Sequence, residues 1–370
     1  MKETYNNFYH YNRNYGCRFK EIIYKGYKSL IVENEKLRLL ILLEKGSDIV
    51  EFLYKPLDID FLWKSPIELN GNSRNPVTKE YQAGNFLDNY EGGWQEILPS
   101  FGAPHNYKNT GMGVHGELFS LPWDYTVIKD DVYEVKLKLF VRMRRVPFFV
   151  EKIINIKSGN SFVDFEESII NEGTQNFKFM WGHHPAFGKP FLDNNCVIDL
   201  PDDLFGKTNR IHISPTDIMP IDKDLKWPDI VDKNGKEIDL SRIMPIDAKT
   251  DFRVYLEGFK EGWYAITNLS SNAGFGLCWD KKIFRYLFIW FSYGGWLDAP
   301  FYGRCYTIAL EPQSSIPDDL EEVIKLKREL ELKPKEKITT NYTAIAYKTN
   351  GRVGGFDENN TPILKENRKV

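Results

Sequence analysis

Charge of one sign, long apolar runs and cysteine clusters are all missing from this 370-residue chain. Its 49 Lys and Arg against 52 Asp and Glu leave a formal net charge of −3. No field of that size steers a protein onto a phosphate backbone, so nucleic acid is excluded as a partner class. The longest apolar runs, residues 39–43 and 286–291, fall far short of the roughly 20 residues that span a bilayer, so no membrane partner is expected. The first fifteen residues are polar and rich in Asn and Tyr, without the apolar stretch of a signal peptide. The four cysteines, Cys17, Cys196, Cys278 and Cys305, form no CxxC or metal-ligand spacing and read as small hydrophobes in strands. A cytoplasmic location follows as the expectation.

Aromatics are plentiful. Nine Trp, 20 Tyr and 25 Phe make 15% of the chain, within a hydrophobic fraction of 42% that can supply a sizeable core. The repeating pattern has a period of two. Val135, Leu137, Leu139 and Val141 alternate with Lys136, Lys138 and Phe140, as in a half-buried strand. Similar runs occur near 20–24, 37–43, 149–156, 162–170, 178–181, 252–256, 265–268, 275–279, 287–290, 306–310 and 338–347. Helical signal is scarce. One helix is expected over about 317–330, with Asp318 and Asp319 in its first turn and Pro334 beyond its end. Strands without alternating helices argue against a parallel doubly wound sheet and for a sandwich or barrel. The long connections 66–107 and 185–249 are expected to lie as loops over that scaffold. Residues 1–350 read as one domain, and 351–370 as a polar tail that frays.

Candidate chemistry falls on few residues. Among six histidines, His115 lies in Gly113-Val114-His115-Gly116, after the Gly-rich segment Gly92-Gly93-Trp94-Gln95-Glu96. His183 and His184 sit in Trp181-Gly182-His183-His184-Pro185-Ala186-Phe187. Singly, a histidine is more often a hydrogen-bonded structural group than a catalyst. Three nitrogens from these positions could surround a metal ion, but adjacent strand residues point to opposite faces, so no metal is expected. Glu311 ends the apolar run 306–310 and precedes Pro312, which lacks an N–H and breaks the ladder. Burial there would raise its pKa toward the range of a general base, whereas at a surface turn it would only cap. Asp280, after Trp279, is a weaker case of the same kind. Trp94 leads a set of tryptophans that are mostly core, with loop members free to offer a flat face to a sugar ring.

Taken together, these motifs resemble the aldose 1-epimerase (galactose mutarotase-like) family and its hexose-6-phosphate epimerase branch. The elements are Gly92-Gly93 through Pro99 to Phe101-Gly102, then His115-Gly116 and Leu121-Pro122-Trp123, then His184-Pro185-Ala186-Phe187, then Leu310-Glu311-Pro312. They lie in the family's order, and the resemblance extends over about residues 20–348. It implies an all-β fold, a large antiparallel β-supersandwich with one or few short helices. It implies cofactor-independent interconversion of the α and β anomers of a hexose or related sugar. Glu311 is then the base and His184 the acid, Phe187 favouring His184 over His183 as the anchored position. His115, His183, Trp94 and Asp280 become substrate-binding candidates. The chain departs from the phosphate-accepting branch at Glu117-Leu118-Phe119-Ser120, where an Arg is usual after the His-Gly pair. The substrate-gripping Arg has only Arg74 and Arg285 as candidates. A sugar-binding protein without catalysis, or a polysaccharide lyase or hydrolase on a related scaffold with Asp280 or Glu117 as second carboxylate, are the competing readings. The identity of the sugar and the oligomeric state stay open.

Overall fold

A computed structural model describes residues 13–69, 84–102 and 104–365. Among these residues the chain builds two large antiparallel sheets, of fourteen and eight strands, with three two-stranded ribbons and a few short helices. The smaller sheet runs in the order Cys196–Asp199, Trp263–Asn268, Ala273–Trp279, Lys337–Lys348, Phe162–Asn171, Phe148–Lys157, Glu134–Arg142 and Asp124–Asp130. The middle of the larger sheet is formed by Trp94–Ile97, Gly182–Phe187, Tyr306–Gln313, Tyr286–Tyr293 and Thr250–Glu257, side by side in that order.

The alternation along Glu134–Arg142 holds in the structure: Val135, Leu137 and Leu139 are fully buried against the large sheet, and the intervening residues are half-buried. The middle strands of the large sheet behave differently. Tyr286–Tyr293 and Tyr306–Gln313 are buried at every position. One face packs on the smaller sheet through Trp94, Phe187, Ile289, Ile308 and Leu310. The other carries a second apolar cluster, with Phe101, Phe288, Trp290, Phe301 and Ala309, covered by loops. Strands covered on both sides read as unbroken apolar runs rather than alternating ones.

Three expectations need correction. The helix is only Leu320–Lys325: Asp319 caps it by accepting from the Glu322 N–H at 2.9 Å. Lys327 then turns left-handed (φ 57°), and Leu330–Leu332 pairs with Phe177–Phe179. The segment 185–249 is not a plain loop, because it holds Cys196–Asp199, Phe205–Thr208 and three strands of three residues, too short for a period to show. The end of the chain does not fray directly after Asn350. Val353–Phe356 and Pro362–Leu364 form a hairpin, with Val353 fully buried and Arg352 bonded to Asp199 at 2.7 Å. No described helix is long and apolar enough to cross a membrane.

Candidate active site

Strand parity decides which side chains meet. On Gly182–Phe187, His184 shares its face with Ala186, and on Tyr306–Gln313 the same face carries Ala309, Glu311 and Gln313. Trp290 and Phe288 follow on the next strand, opposite Ala309 and Glu311, and Arg253 and Tyr255 on the one after it. Of these, His184, Glu311, Phe288, Trp290 and Arg253 floor a cavity of about 420 Å³, walled by Phe86, Tyr90, Phe101, His115, Trp296 and Phe301, with Ile211 and Ile213 at its rim.

At the floor, His184 Nε2 lies 3.3 Å from Glu311 Oε1. The Tyr90 hydroxyl lies 3.2 Å from the other ring nitrogen, Nδ1. Burial pushes the Glu311 carboxyl well above the usual carboxylate range, against a smaller opposing effect of Arg253. Burial also pulls the His184 imidazole down, to about 4. The resting pair is therefore neutral, with its one proton on Glu311. Tyr90 is held well above its ordinary pKa by burial and then by Glu311, so it stays a hydroxyl whose oxygen can accept from Nδ1–H. In that arrangement the Nε2 facing the protonated Glu311 is the bare nitrogen, open to take its proton.

His115 stands beside the pair, its ring centroid 5.4 Å from that of His184 and stacked on Phe101. Its Nδ1 accepts from the Gly102 N–H at 3.4 Å, and burial, followed by His184 and Arg253, keeps its pKa well below the ordinary value. The backbone puts it there by two consecutive left-handed residues, His115 (φ 61°) and Gly116 (φ 76°). A Cβ on Gly116 would sit 2.3 Å from the Leu98 carbonyl oxygen, so only glycine fits that position.

Arg253 supplies the cavity's basic group. Its Nη1 donates to Asp251 Oδ1 at 2.8 Å, Trp290 Nε1 donates to Asp251 Oδ2 at 3.0 Å, and the guanidinium lies 5.3 Å from the Trp296 ring centroid. Asp318 lines the same wall, its carboxyl raised by burial. Among the described residues lining the cavity, Arg253 is the sole Lys or Arg.

The structure thus brings Glu311, His184 and His115 together, and separates the other candidates from them. His183 points to the opposite face, into the sandwich, and cannot join His115 and His184 around one ion. Trp94 is in a strand and buried among Phe165, Phe275 and Tyr342, not on a loop. Trp296 and Trp290 are the indoles that line the cavity. Asp280 sits in the turn after Ala273–Trp279, where its Oδ1 accepts from the Lys282 N–H at 2.8 Å, away from the cavity. Glu117 accepts from the Arg144 and Arg145 N–H groups. Arg285 clamps the carbonyls of Ser314 and Arg328. Arg74 lies outside the described residues. The residues missed from sequence were Arg253, Tyr90 and Asp318. Arg253 had a legible signal, an Arg alternating with Tyr255 inside the apolar run 252–256.

Residues 24–217 match the family model described as a domain of unknown function, DUF4432. The chain belongs to this family. No curated protein matches it in sequence. Among solved structures, this DUF4432 chain is similar to a Klebsiella pneumoniae protein named as a candidate aldose 1-epimerase. The two share 14% identity over 90% of this chain and 84% of that one, with a TM-score of 0.69. A galactose mutarotase-like protein from Clostridium acetobutylicum shares 14% identity over 90% and 99% of the two chains (TM-score 0.62). One from Lactobacillus casei shares 15% over 86% and 100% (TM-score 0.55). These likenesses establish the fold as galactose mutarotase-like. The family match ends at residue 217, so Arg253 and Glu311 lie beyond it.

Proposed function

We propose that this DUF4432 protein is an aldose 1-epimerase that interconverts the anomers of a free, uncharged hexose or related sugar without a cofactor. The observation that carries the reading is the buried His184–Glu311 pair, 3.3 Å apart on the floor of a cavity walled by indole and phenyl rings. Ring opening needs a base for the C1 hydroxyl proton and an acid for the ring oxygen, both at one site. The pair holds one proton. Moving it from Glu311 to His184 creates carboxylate and imidazolium together, and sugar hydroxyls donating to the carboxylate favour that form. Glu311 then takes the hydroxyl proton, His184 protonates the ring oxygen, C1 rotates in the open aldehyde, and the reverse steps close the ring on the other face. His115 and Arg253 are placed to bind hydroxyls, and Trp290 and Trp296 to cover an apolar sugar face.

Arg253 is already paired with Asp251, and Glu311 and Asp318 share its cavity, so a phosphate would find no unspent cation. Arg253 also removes the motive for a binding-only reading, which was the want of an Arg. The hydrolase reading loses its proposed partners, since Asp280 and Glu117 are occupied elsewhere. We read the domain that carries this site as continuing past residue 350 to include the Val353–Phe356 and Pro362–Leu364 hairpin, and place the protein in the cytoplasm, a compartment that suits four unpaired thiols. The test is polarimetry of freshly dissolved α-glucose, α-galactose, hexose phosphates and disaccharides with and without protein. Acceleration abolished in His184→Asn but only lowered in His183→Asn supports the assignment; the reverse pattern, or no acceleration of any sugar, overturns it.

A further inference from the structure

Behind the candidate acid lies a second histidine–carboxylate pair that the reaction does not use. His183 Nε2 is 3.2 Å from Glu167 Oε2, while Trp94 Nε1 donates to His183 Nδ1 at 3.3 Å. The two histidines are thus built alike on opposite faces of one strand, each with Nε2 toward a carboxylate and Nδ1 toward a hydrogen-bonding aromatic side chain. The inner pair belongs to a larger cluster. Lys152 Nζ reaches Glu96 Oε2 at 3.0 Å, Glu167 Oε1 at 3.4 Å and Ser47 Oγ at 3.0 Å. Trp181 Nε1 donates to Glu96 Oε1 at 2.9 Å, and the Tyr342 hydroxyl to Glu167 Oε1 at 2.6 Å. Glu96, Lys152, Glu167 and His183 are all at most 4% exposed.

This cluster joins the two sheets. Glu96 and His183 come from neighbouring strands of the large sheet; Lys152, Glu167 and Tyr342 come from three adjacent strands of the small one. A buried ion cluster is poor value as stabilisation, because apolar residues of the same volume do as well or better. It does fix geometry, since each charge must keep its partner. Burial presses the Glu167 carboxyl upward, yet His183 and Lys152 outweigh that and hold it down, to about 2.

The strand above it needs such an anchor. Between Gly182–Phe187 and the Glu311 strand, the ladder pairs Gly182 with Gln313 and Ala186 with Ala309 but has no pairing between them. Counting two residues inward along each strand from Gly182 and Gln313 places His184 directly opposite Glu311, inside that gap. Pro185 and Pro312 lack N–H groups there. No ladder pairing between these two strands therefore fixes His184 against Glu311 at that point; the histidine strand is laddered there on its other side, to Trp94–Ile97, the strand that carries Glu96.

We propose that the inter-sheet cluster of Glu96, Lys152, Glu167 and His183 sets the separation of His184 and Glu311, with Glu167 and Lys152 as positioning residues for a reaction they do not touch. This rests on the epimerase reading for its consequence, though not for its geometry.

The test compares Glu167→Gln, Tyr342→Phe and Lys152→Met with Val135→Ala, a core substitution on the same small sheet whose cross-strand partners, Ile156 and Asp130, lie outside the cluster. Anomerisation kcat is expected to fall about 10- to 100-fold in the cluster variants, as misplacement by a fraction of an ångström to 1 Å implies. KM should stay within about twofold, and Val135→Ala should lose comparable thermal stability with kcat unchanged. Tyr342→Phe removes one hydroxyl and keeps the fold accessible if the charge variants do not express. Independently of turnover, the ring ¹⁵N resonances of His184 should move in Glu167→Gln and in Tyr342→Phe but not in Val135→Ala. A folded cluster variant with wild-type kcat, or with unmoved His184 resonances, overturns the proposal. If the wild-type protein accelerates no sugar, the epimerase reading falls, and the His184 resonances alone decide the positioning claim.

Discussion

Replacing Glu311 with Gln should abolish turnover and stabilise the fold, with a pH dependence fixed by the buried pair. In the folded protein Glu311 is protonated well above its ordinary value near 4.5, and His184 is deprotonated down to about 4 against an ordinary 6.5. Above pH 4.5 the unfolded chain has lost the Glu311 proton that the folded chain keeps, so this group lowers stability by about 1.4 kcal/mol per pH unit. Between pH 4 and 6.5 the unfolded chain still carries the His184 proton that the folded chain has lost. That raises stability with pH by the same slope. The two cancel from about pH 4.5 to 6.5, and above 6.5 only the Glu311 loss remains. In Glu311→Gln the carboxyl contribution disappears while the other histidines are common to both proteins. The stability difference, variant minus wild type, should therefore grow by about 1.4 kcal/mol per pH unit from pH 4.5 upward, levelling at the folded-state pKa of Glu311.

Urea unfolding of both proteins at half-unit steps from pH 4.5 to 8.5 measures that difference directly, and polarimetry at the same pH values measures activity. Loss of a positioned base should cost about 10²- to 10⁴-fold in rate. A difference curve flat with pH would refute the burial argument. A variant that is stabilised as described yet turns over at the wild-type rate would refute the role of Glu311 while leaving the electrostatics intact.

Tyr90→Phe leaves the buried Nδ1–H of His184 without its acceptor, which should cost about 1–3 kcal/mol in the catalytic step, a rate loss of roughly 10-fold or more, read by initial rates and by the His184 tautomer in ¹⁵N spectra. Arg253→Met should raise KM for free sugars about 10-fold with a smaller change in kcat, since it removes hydrogen bonds from a charged donor; an unchanged KM would remove Arg253 from the binding wall. Gly116→Ala should destabilise by more than about 1 kcal/mol in urea melts and raise KM, because its φ of 76° and the Leu98 carbonyl both reject a Cβ and His115 moves with the turn.

The strands and the pair were legible because their signals are local. A period of two marked Glu134–Arg142, and an apolar run closed by Glu311-Pro312 marked a carboxylate at a buried position. What was not legible depended on parity and on distant packing. Trp94 looked like a loop residue because it follows Gly92-Gly93, yet those glycines make the turn that starts a buried strand, with a Cβ on Gly92 only 2.3 Å from the Trp63 carbonyl oxygen. Arg253 was visible as a lone charge inside an apolar run, but in a strand covered on both faces the side it takes could not be assigned without its neighbours.

The double histidine shows how parity separates chemistry from support. Two identical residues, one peptide bond apart, are equivalent by composition, and only the pleat distinguishes them. His184 meets Glu311, which burial keeps protonated, in a cavity; His183 meets Glu167, which His183 and Lys152 together keep ionised, in the sandwich interior. A mobile proton belongs to the first pair and a fixed charge to the second. A one-residue slip that brought His183 to the cavity would put Gly182 in its place in the interior. The inner cluster opposes that slip because it would leave Glu167 and Lys152 buried without an imidazole, a configuration that costs several kcal/mol. The same charges that contribute little net stability therefore select the register on which the proposed reaction depends.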